Sequence, residues 1–481
     1  MVNLKPILFM ASVVLRALAL FMIAPLVLAI YTDGHGVPEF FKSIVITTIA
    51  SGLFWHKGRS KEFKLGIREM FLLTTCVWII ASAFAALPLM LIQHISYTDA
   101  YFETMSGITT TGSTVLSNLD TTAHSVLLWR SILQWLGGVG FVVMGVAVLP
   151  YLNVGGMRLF QTESSDWSDK NTAKTQHTAA YIMYIYVSLT VLCYFGYLTA
   201  GMSSFEAINH AMTTLSTGGY STSDQSMAHF SNAAQWNGTF FMFLGGLPFL
   251  LLITAIHRRN IKVLLKDAQI IGFAKLVLIM TLTMSVYLWQ KDVFSLSDAI
   301  RISMFNIVSV VTTTGFGLTD FGTWGEFTTV LFAGLMFTGA CSGSTSGGIK
   351  IFRFQIAFTL FRKQMSQLVH PSGVFRQHYN GRHVNDVIVR SVVAFGSAFI
   401  ATIAILAAVL SLLGLDPITS ITGAITAVAN VGPGLGPVIG PSGNFASLPD
   451  SAKWALSLGM LMGRLEIMTV LVLVTPAFWK G

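Results

Sequence analysis

Four short stretches rich in threonine and glycine constrain this chain more than anything else in it. They read Thr109-Thr110-Thr111-Gly112-Ser113, Leu215-Ser216-Thr217-Gly218-Gly219-Tyr220, Val311-Thr312-Thr313-Thr314-Gly315-Phe316-Gly317 and Ala429-Asn430-Val431-Gly432-Pro433-Gly434. Each follows a segment too brief to cross a bilayer and precedes a longer apolar one. That order describes a chain that enters a membrane, turns back inside it and then crosses. Non-helical backbone survives at membrane depth only where protein covers it or it lines a water path. Successive carbonyls turned toward one axis need conformations that a side chain disfavours, and glycine permits them. Such carbonyls can replace the water around a cation. One Thr-Thr-Gly alone has a simpler reading, because small residues are common in membrane helices. Four copies in register do not.

The spacing is shared. Nine residues before Gly112, Gly218, Gly315 and Gly432 stand Glu103, Asn209, Asn306 and Gly423. Beyond the loops recur Leu136-Gly137-Gly138, Leu244-Gly245-Gly246, Phe337-Thr338-Gly339 and Leu461-Met462-Gly463. The repeat period is about a hundred residues, too long for a solenoid unit.

The rest of the 481 residues agrees with a membrane setting. Only 10% are charged and 53% are hydrophobic, against about 25% charged in soluble proteins. Recurrent apolar runs of helix length predict an all-α polytopic membrane protein. The net charge of +8 is placed mainly in loops between spans. That is the positive-inside pattern rather than a nucleic-acid footprint. Cys76, Cys193 and Cys341 lie in separate apolar segments and read as small hydrophobes. The length of the run from Ile7 to Ile30, interrupted by Arg16, favours a retained first span over a leader peptide.

The expected layout is a helix pair with a basic loop at 1–69, then four repeats at 70–177, 178–268, 269–387 and 388–481. This gives ten spans, including Trp236–Ile256 and Trp454–Phe478, and four short re-entrant helices. The loops at 56–68 and 153–177 and a basic connector from Lys350 to Arg390 fall on one side, and the four Thr/Gly loops open to the other. The short helices end at the Thr/Gly loops, where their negative ends favour a cation. Thr98-Asp99, Ser297-Asp298 and Asp416-Pro417 read either as helix caps or as an outer field that gathers cations.

Two further features stand out. The third return helix is broken by Gly339-Ala340-Cys341-Ser342-Gly343-Ser344-Thr345-Ser346-Gly347-Gly348-Ile349-Lys350. A phosphate-binding loop would need lysine directly after Gly348, where Ile349 stands. The run reads as a flexible gate under the loops, or as a kink filled by close packing. Arg464 sits inside the last span. A charge there faces water or a partner, so it is either a barrier and latch in the ion path or a local pair with Glu466. Residues two apart on a helix face apart, which weakens the second option. His370, His378 and His383 have no zinc spacing, and no catalytic constellation is visible at membrane depth. No enzyme and no transition-metal site are expected.

These residues resemble the Trk/Ktr/HKT superfamily of potassium transporters, most closely its bacterial TrkH-type membrane subunit. The resemblance rests on Ser106-Gly107-Ile108-Thr109-Thr110-Thr111-Gly112, on Asn430-Val431-Gly432-Pro433-Gly434-Leu435-Gly436, on Gly343-Ser344-Thr345 with Gly347-Gly348, and on Gly463-Arg464-Leu465-Glu466. It covers nearly the whole chain, and the extra N-terminal helix pair favours the TrkH branch. It implies four potassium-channel-like repeats around one central pore and a homodimer. It also implies a cytosolic TrkA-type nucleotide-binding partner on the basic face, and no organic cofactor on this chain. The potassium filter would be Thr110, Thr111, Gly112, Ser216, Thr217, Gly218, Thr313, Thr314, Gly315, Asn430, Val431 and Gly432. The gate would be Gly343, Ser344, Thr345, Ser346, Gly347, Gly348, Lys350 and Arg464. Ser346 departs from the glycine that many relatives carry. In related plant proteins a serine at the first filter position goes with sodium, so Gly112 implies potassium. The expected site of action is the bacterial inner membrane, with the filter side periplasmic. A sodium-permeable or proton-coupled carrier of the same fold is the competing reading. A scaffold with a vestigial pore fits less well, because all four loops keep their glycines.

Overall fold

The computed structural model describes residues 3–32, 34–59, 66–147 and 172–480. Asp33, residues 60–65 of the first basic loop (with Lys61, Glu62 and Lys64) and the 148–171 stretch with Arg158 and Lys170 lie outside the described residues.

The first two spans, Leu4–Tyr31 and Val37–Gly58, meet along small residues. Ser12, Ser43, Thr47 and Ser51 are buried, and the Ser51 hydroxyl donates to the Ser12 carbonyl at 2.7 Å. Small side chains let the two backbones approach where no hydrophobic force separates protein from lipid. Arg16, which interrupts the first apolar run, donates to Ser51 at 3.2 Å. Its guanidinium lies 5.3 Å from the Trp55 ring centre.

Four short helices follow at Tyr97–Ile108, Ser204–Leu215, Leu296–Val311 and Pro417–Ala429. Each begins on an oxygen that accepts from the third helical amide, a standard N-cap contact. Ser96 accepts from Asp99 at 3.0 Å, Ser203 from Glu206 at 3.2 Å, Ser295 from Asp298 at 3.3 Å and Asp416 from Thr419 at 3.0 Å. Only the expectation at Asp416-Pro417 had the cap in place. Asp99 and Asp298 are third-position acids, and the caps are the serines three residues earlier. The hydrogen bond from the Thr419 amide holds the Asp416 carboxyl below its ordinary pKa. Glu206 returns a bond to the Ser203 amide at 2.9 Å, closing a capping box.

Among the described residues seven helices are long and apolar enough to cross a membrane, or nine if two bent pairs each count as one. The expected count of ten is reduced by the third return helix, which runs only from Glu326 to Leu335 before it breaks. The break is also not confined to that helix. The second return path bends by 92° between Asn232–Gly245 and Phe249–His257, and the fourth by 117° between Asp450–Arg464 and Met468–Val474. At the second bend Pro248 precedes the new helix and the Phe249 amide donates to Gly343 O at 3.0 Å. At the fourth, Glu466 and Ile467 take positive φ of 60° and 24°.

The expected basic connector after the third repeat contains a helix, Ile351–Val369, whose start is buried at Ile351, Phe352, Arg353 and Ile356. Lys350 and Arg353 are therefore core residues and do not count toward the charge bias of the loops. A hairpin pairs His378 with His383 and Tyr379 with Arg382. It joins this helix base to that of Asp386–Leu412 through a small core of Phe352, Ile356, Tyr379, Val384, Val389 and Val392.

Replacing Ser203 with alanine removes one capping box. The expected result is a loss of about 1 kcal/mol, read as a lower thermal midpoint of the detergent-solubilised protein. An unchanged midpoint would count against a structural role for that cap.

Candidate functional site

The C-terminal ends of the four short helices converge, and each releases its chain through one residue in the left-handed region. These are Thr110 (φ 53°), Thr217 (51°), Thr313 (57°) and Asn430 (56°). Two residues later comes a glycine, also at positive φ: Gly112 (88°), Gly219 (78°), Gly315 (83°) and Gly432 (110°). The residue between them donates back into its own helix in the same way each time. Thr111, Gly218, Thr314 and Val431 bond the carbonyls of Ser106, Thr213, Ser309 and Thr426.

This pattern shifts the second loop by one residue. The equivalent of Gly112, Gly315 and Gly432 is Gly219, and Gly218 aligns with Thr111, Thr314 and Val431. The sequence alone points to Gly218 as the equivalent glycine of the Gly-Gly doublet, and the backbone geometry moves it to Gly219. Nine residues before Gly219 stands His210, not Asn209. His210 Nε2 meets Ser221 Oγ at 3.0 Å, as Glu103 meets the Thr114 hydroxyl at 3.0 Å. Asn306 accepts from Leu318 N at 3.3 Å, as Glu103 does from Val115 N at 2.9 Å. In the fourth repeat Gly423 has no side chain, and neighbouring Thr422 accepts from Leu435 N at 3.0 Å. These polar residues hold the strand that climbs away from each glycine.

The four glycines close a ring. A Cβ on Gly112 would overlap Gly218 O, one on Gly219 would overlap Thr314 O, and one on Gly315 would overlap Val431 O. A Cβ on Gly432 would stand 2.8 Å from Thr111 O. Each loop thus touches the next, and the fourth returns to the first. Across the ring, a Cβ on Gly112 would also come within 3.6 Å of Thr314 O, so it would point toward the axis. Loops one and four are tied further by Ser113 Oγ donating to Gly432 O at 2.8 Å and Asn430 Nδ2 donating to Thr111 Oγ1 at 2.9 Å.

On one side of the ring is a cavity of about 460 Å³ lined by Gly112, Gly219, Gly315 and Gly432 together with Asp224, Arg130 and several serines. On the other side lies the broken segment of the third return helix. Two-residue strands Thr338–Gly339 and Ile349–Lys350 pair in parallel and close it into a loop. Its tip reaches the inner ends of the second, third and fourth Thr/Gly loops. Thr345 Oγ1 donates to Leu215 O at 3.1 Å and meets Thr217 Oγ1 at 3.2 Å. The Gly347 amide donates to Thr313 Oγ1 at 2.7 Å. A Cβ on Gly347 would stand 3.0 Å from the Asn430 Cβ. In the first loop the Thr110 hydroxyl is buried and has no hydrogen-bond partner among the described residues. Ser344 and Ser346 share a bond of 2.9 Å inside the loop, Gly343 and Gly348 take positive φ, and Lys350 Nζ donates to Ser346 O.

Arg464 completes the arrangement. It is fully buried and donates to Thr345 O at 2.8 Å and to Gly137 O at 3.2 Å. Its guanidinium lies 4.1 Å from the Phe141 ring centre, a cation–π contact. One side chain therefore joins the broken loop to the first repeat. It does not pair with Glu466, which takes Arg353 at 2.6 Å. Sequence reasoning had left that local pair open, and the bend after Arg464 turns Glu466 toward the neighbouring helix.

A second buried pair was also missed. Arg130 Nε meets Glu103 Oε1 at 2.8 Å, and its guanidinium stacks 3.9 Å from the centre of the Tyr220 ring. The available signal was a single arginine inside an apolar span. Replacing Glu103 with alanine leaves Arg130 buried without its counter-charge. The expected cost is about 3–5 kcal/mol, measured as a large fall in thermal midpoint. A midpoint within a degree or two of the parent would show that the pair is not structural.

With this geometry in hand, comparison with known proteins identifies the family. Residues 36–480 match the TrkH family, described as a cation transport protein. Over 99% of its length the chain is 48% identical to the Trk system potassium uptake protein TrkI of Halomonas elongata, covering 97% of that protein. It is 34% identical to the Trk system potassium uptake protein TrkH of Escherichia coli K12, over 95% of this chain and 96% of that one. The crystal structure of the potassium transporter TrkH from Vibrio parahaemolyticus superposes with a TM-score of 0.93 at 32% identity, covering both chains completely. These relatives are named transport proteins rather than enzymes, and the chain belongs to the TrkH family of cation transport proteins.

Proposed function

We propose that the chain is the membrane subunit of a bacterial potassium-uptake system, conducting potassium across the inner membrane through one filter built by its four Thr/Gly loops. The observation that carries this reading is the closed ring of glycine–carbonyl contacts, with a cavity on one side and the Arg464-tethered loop on the other. The potassium-uptake names of the relatives support the choice of ion. Potassium sheds water at the carbonyls of Thr110–Gly112, Thr217–Gly219, Thr313–Gly315 and Asn430–Gly432, the second set being the corrected one. The four short helices aim their negative ends at the inner end of the ring, which favours a cation there.

The loop from Thr338 to Lys350 is the gate. It occupies the space under the ring, and its bonds to Thr217 and Thr313 use the residues at the ring's inner end. Opening requires it to leave them and to break the Arg464 bond to Thr345. The extra helix pair and the lipid-facing apolar residues set the chain in the bilayer, with the filter side periplasmic. A homodimer and a cytosolic TrkA-type nucleotide-binding subunit on the basic face complete the assembly.

Two substitutions test this in purified protein reconstituted into liposomes. Gly112→Ser puts a side chain at positive φ and against two carbonyls, so potassium preference over sodium should collapse. Equal flux of both ions in the parent, unmoved by the change, would place selection elsewhere and favour a less selective carrier. Arg464→Ala should raise basal potassium flux by about tenfold or more. A hydrogen bond to a charged group contributes about 1.5–3 kcal/mol, and 1.4 kcal/mol is a factor of ten. Ion preference should stay as in the parent, and unchanged flux would remove Arg464 from the gate.

A further inference from the structure

The second loop differs from the other three at one position, and a side chain from another repeat fills the difference. The residue before the ring glycine is Thr111, Thr314 or Val431 in three loops and Gly218 in the second. Thr111 and Thr314 tie their loops to their own helix ends, through Thr109 at 2.7 Å and Thr312 at 2.8 Å. Gly218 has nothing with which to do this. The space where its Cβ would stand is taken by Gln134 of the first return helix, with Oε1 at 2.5 Å and Cγ at 2.9 Å.

Gln134 is bonded as well as packed. Its Nε2 donates to Gly218 O at 2.5 Å, and its Oε1 accepts from Tyr220 N at 3.0 Å. The two partners fix which way the amide faces, because a backbone N–H needs an acceptor and a carbonyl needs a donor. Gly218 O is also the atom against which Gly112 packs. Among the described residues the corresponding oxygens of Thr111, Thr314 and Val431 accept no hydrogen bond. One turn earlier on the same helix, Arg130 donates to Ser221 O at 3.3 Å. The second loop is thus held from outside, by the helix of the preceding repeat.

We propose that Gln134 is a positioning residue for ion selection: it supplies the side chain that Gly218 lacks and sets where the Gly218 carbonyl stands in the ring. The proposal rests on the filter reading above. Selectivity depends on cavity size and on the number and field of the coordinating carbonyls. An oxygen held by a side-chain amide keeps its place when the ion is absent and presents a weaker field to it when present. Gly218 is required by Gln134 rather than by its own backbone, since its φ lies outside the left-handed region.

The test is the potassium-to-sodium flux ratio in liposomes, with thermal midpoint and elution profile as fold controls. Gln134→Met keeps the volume and removes both bonds. The ratio should fall by about tenfold, the factor for one buried hydrogen bond of about 1.4 kcal/mol. Gly218→Thr alone should impair flux, because its side chain meets Gln134. Gln134→Ala combined with Gly218→Thr should recover most of the parent ratio, because the loop then carries its own side chain. A merely structural role would lower the thermal midpoint of Gln134→Met and leave its ion ratio at the parent value. A parent ratio in folded Gln134→Met, or a double variant no better than Gly218→Thr, would overturn the proposal. If Gln134→Met aggregates, the double variant decides by the same rule. A parent protein without potassium preference would instead sink the filter reading itself.

Discussion

At four places around one axis a glycine Cα lies against a carbonyl oxygen of the next loop, with no room for a Cβ. The surrounding structure follows from that close approach. Four backbones can meet only if each turns through the left-handed region just after its helix ends, and there a non-glycine residue is strained. Thr110, Thr217 and Thr313 bear that strain, whereas Asn430 enters the region more readily. The short helices must therefore be anchored firmly, by serine and aspartate caps at one end and by polar residues such as Glu103, His210 and Asn306 near the other.

Charge is used sparingly and deep inside. Arg130, Arg353 and Arg464 are among the largest fully buried side chains, and each has a different task. Arg130 neutralises Glu103 beside the first two loops. Arg353 holds Glu466 in the bend of the last return path. Arg464 lies two residues before that glutamate and spans from the broken loop to the first repeat. The bend therefore presents its arginine toward the axis and its glutamate toward the helix that follows the broken loop. Residues two apart already face apart on a straight helix, and the bend after Arg464 carries Glu466 further, onto Arg353 of the neighbouring helix.

The repeats are related in backbone and unequal in detail. The first return helix is continuous to Ala147, the second and fourth bend, and the third opens into a loop. The third repeat supplies the loop inserted beneath the ring, and the second return path bends beside it. That bend, at Pro248, touches the loop directly, with the Phe249 amide bonded to Gly343 O.

Much of this was legible in the chain. Apolar length with sparse charge specifies helices in a bilayer, because unpaired backbone groups are not tolerated there. Four glycines after four short segments specify four re-entrant turns, and Arg464 was conspicuous as a charge in an apolar run. What needed the tertiary structure was anything set by contact across repeats. From sequence the register of the second loop falls one residue early, at Gly218, because the neighbouring Gly219 is the same residue type and only their φ angles and neighbours distinguish them. Gln134 carried no signal, since one amide in an apolar helix has many uses. The helix after Lys350 was hidden by its charges, of which Arg353 is buried, as is Lys350 just before it. Local composition determines where a chain bends and which residues tolerate it. Which carbonyl meets which glycine, and which arginine meets which acid, depends on distances between segments hundreds of residues apart, and only the packed fold sets those.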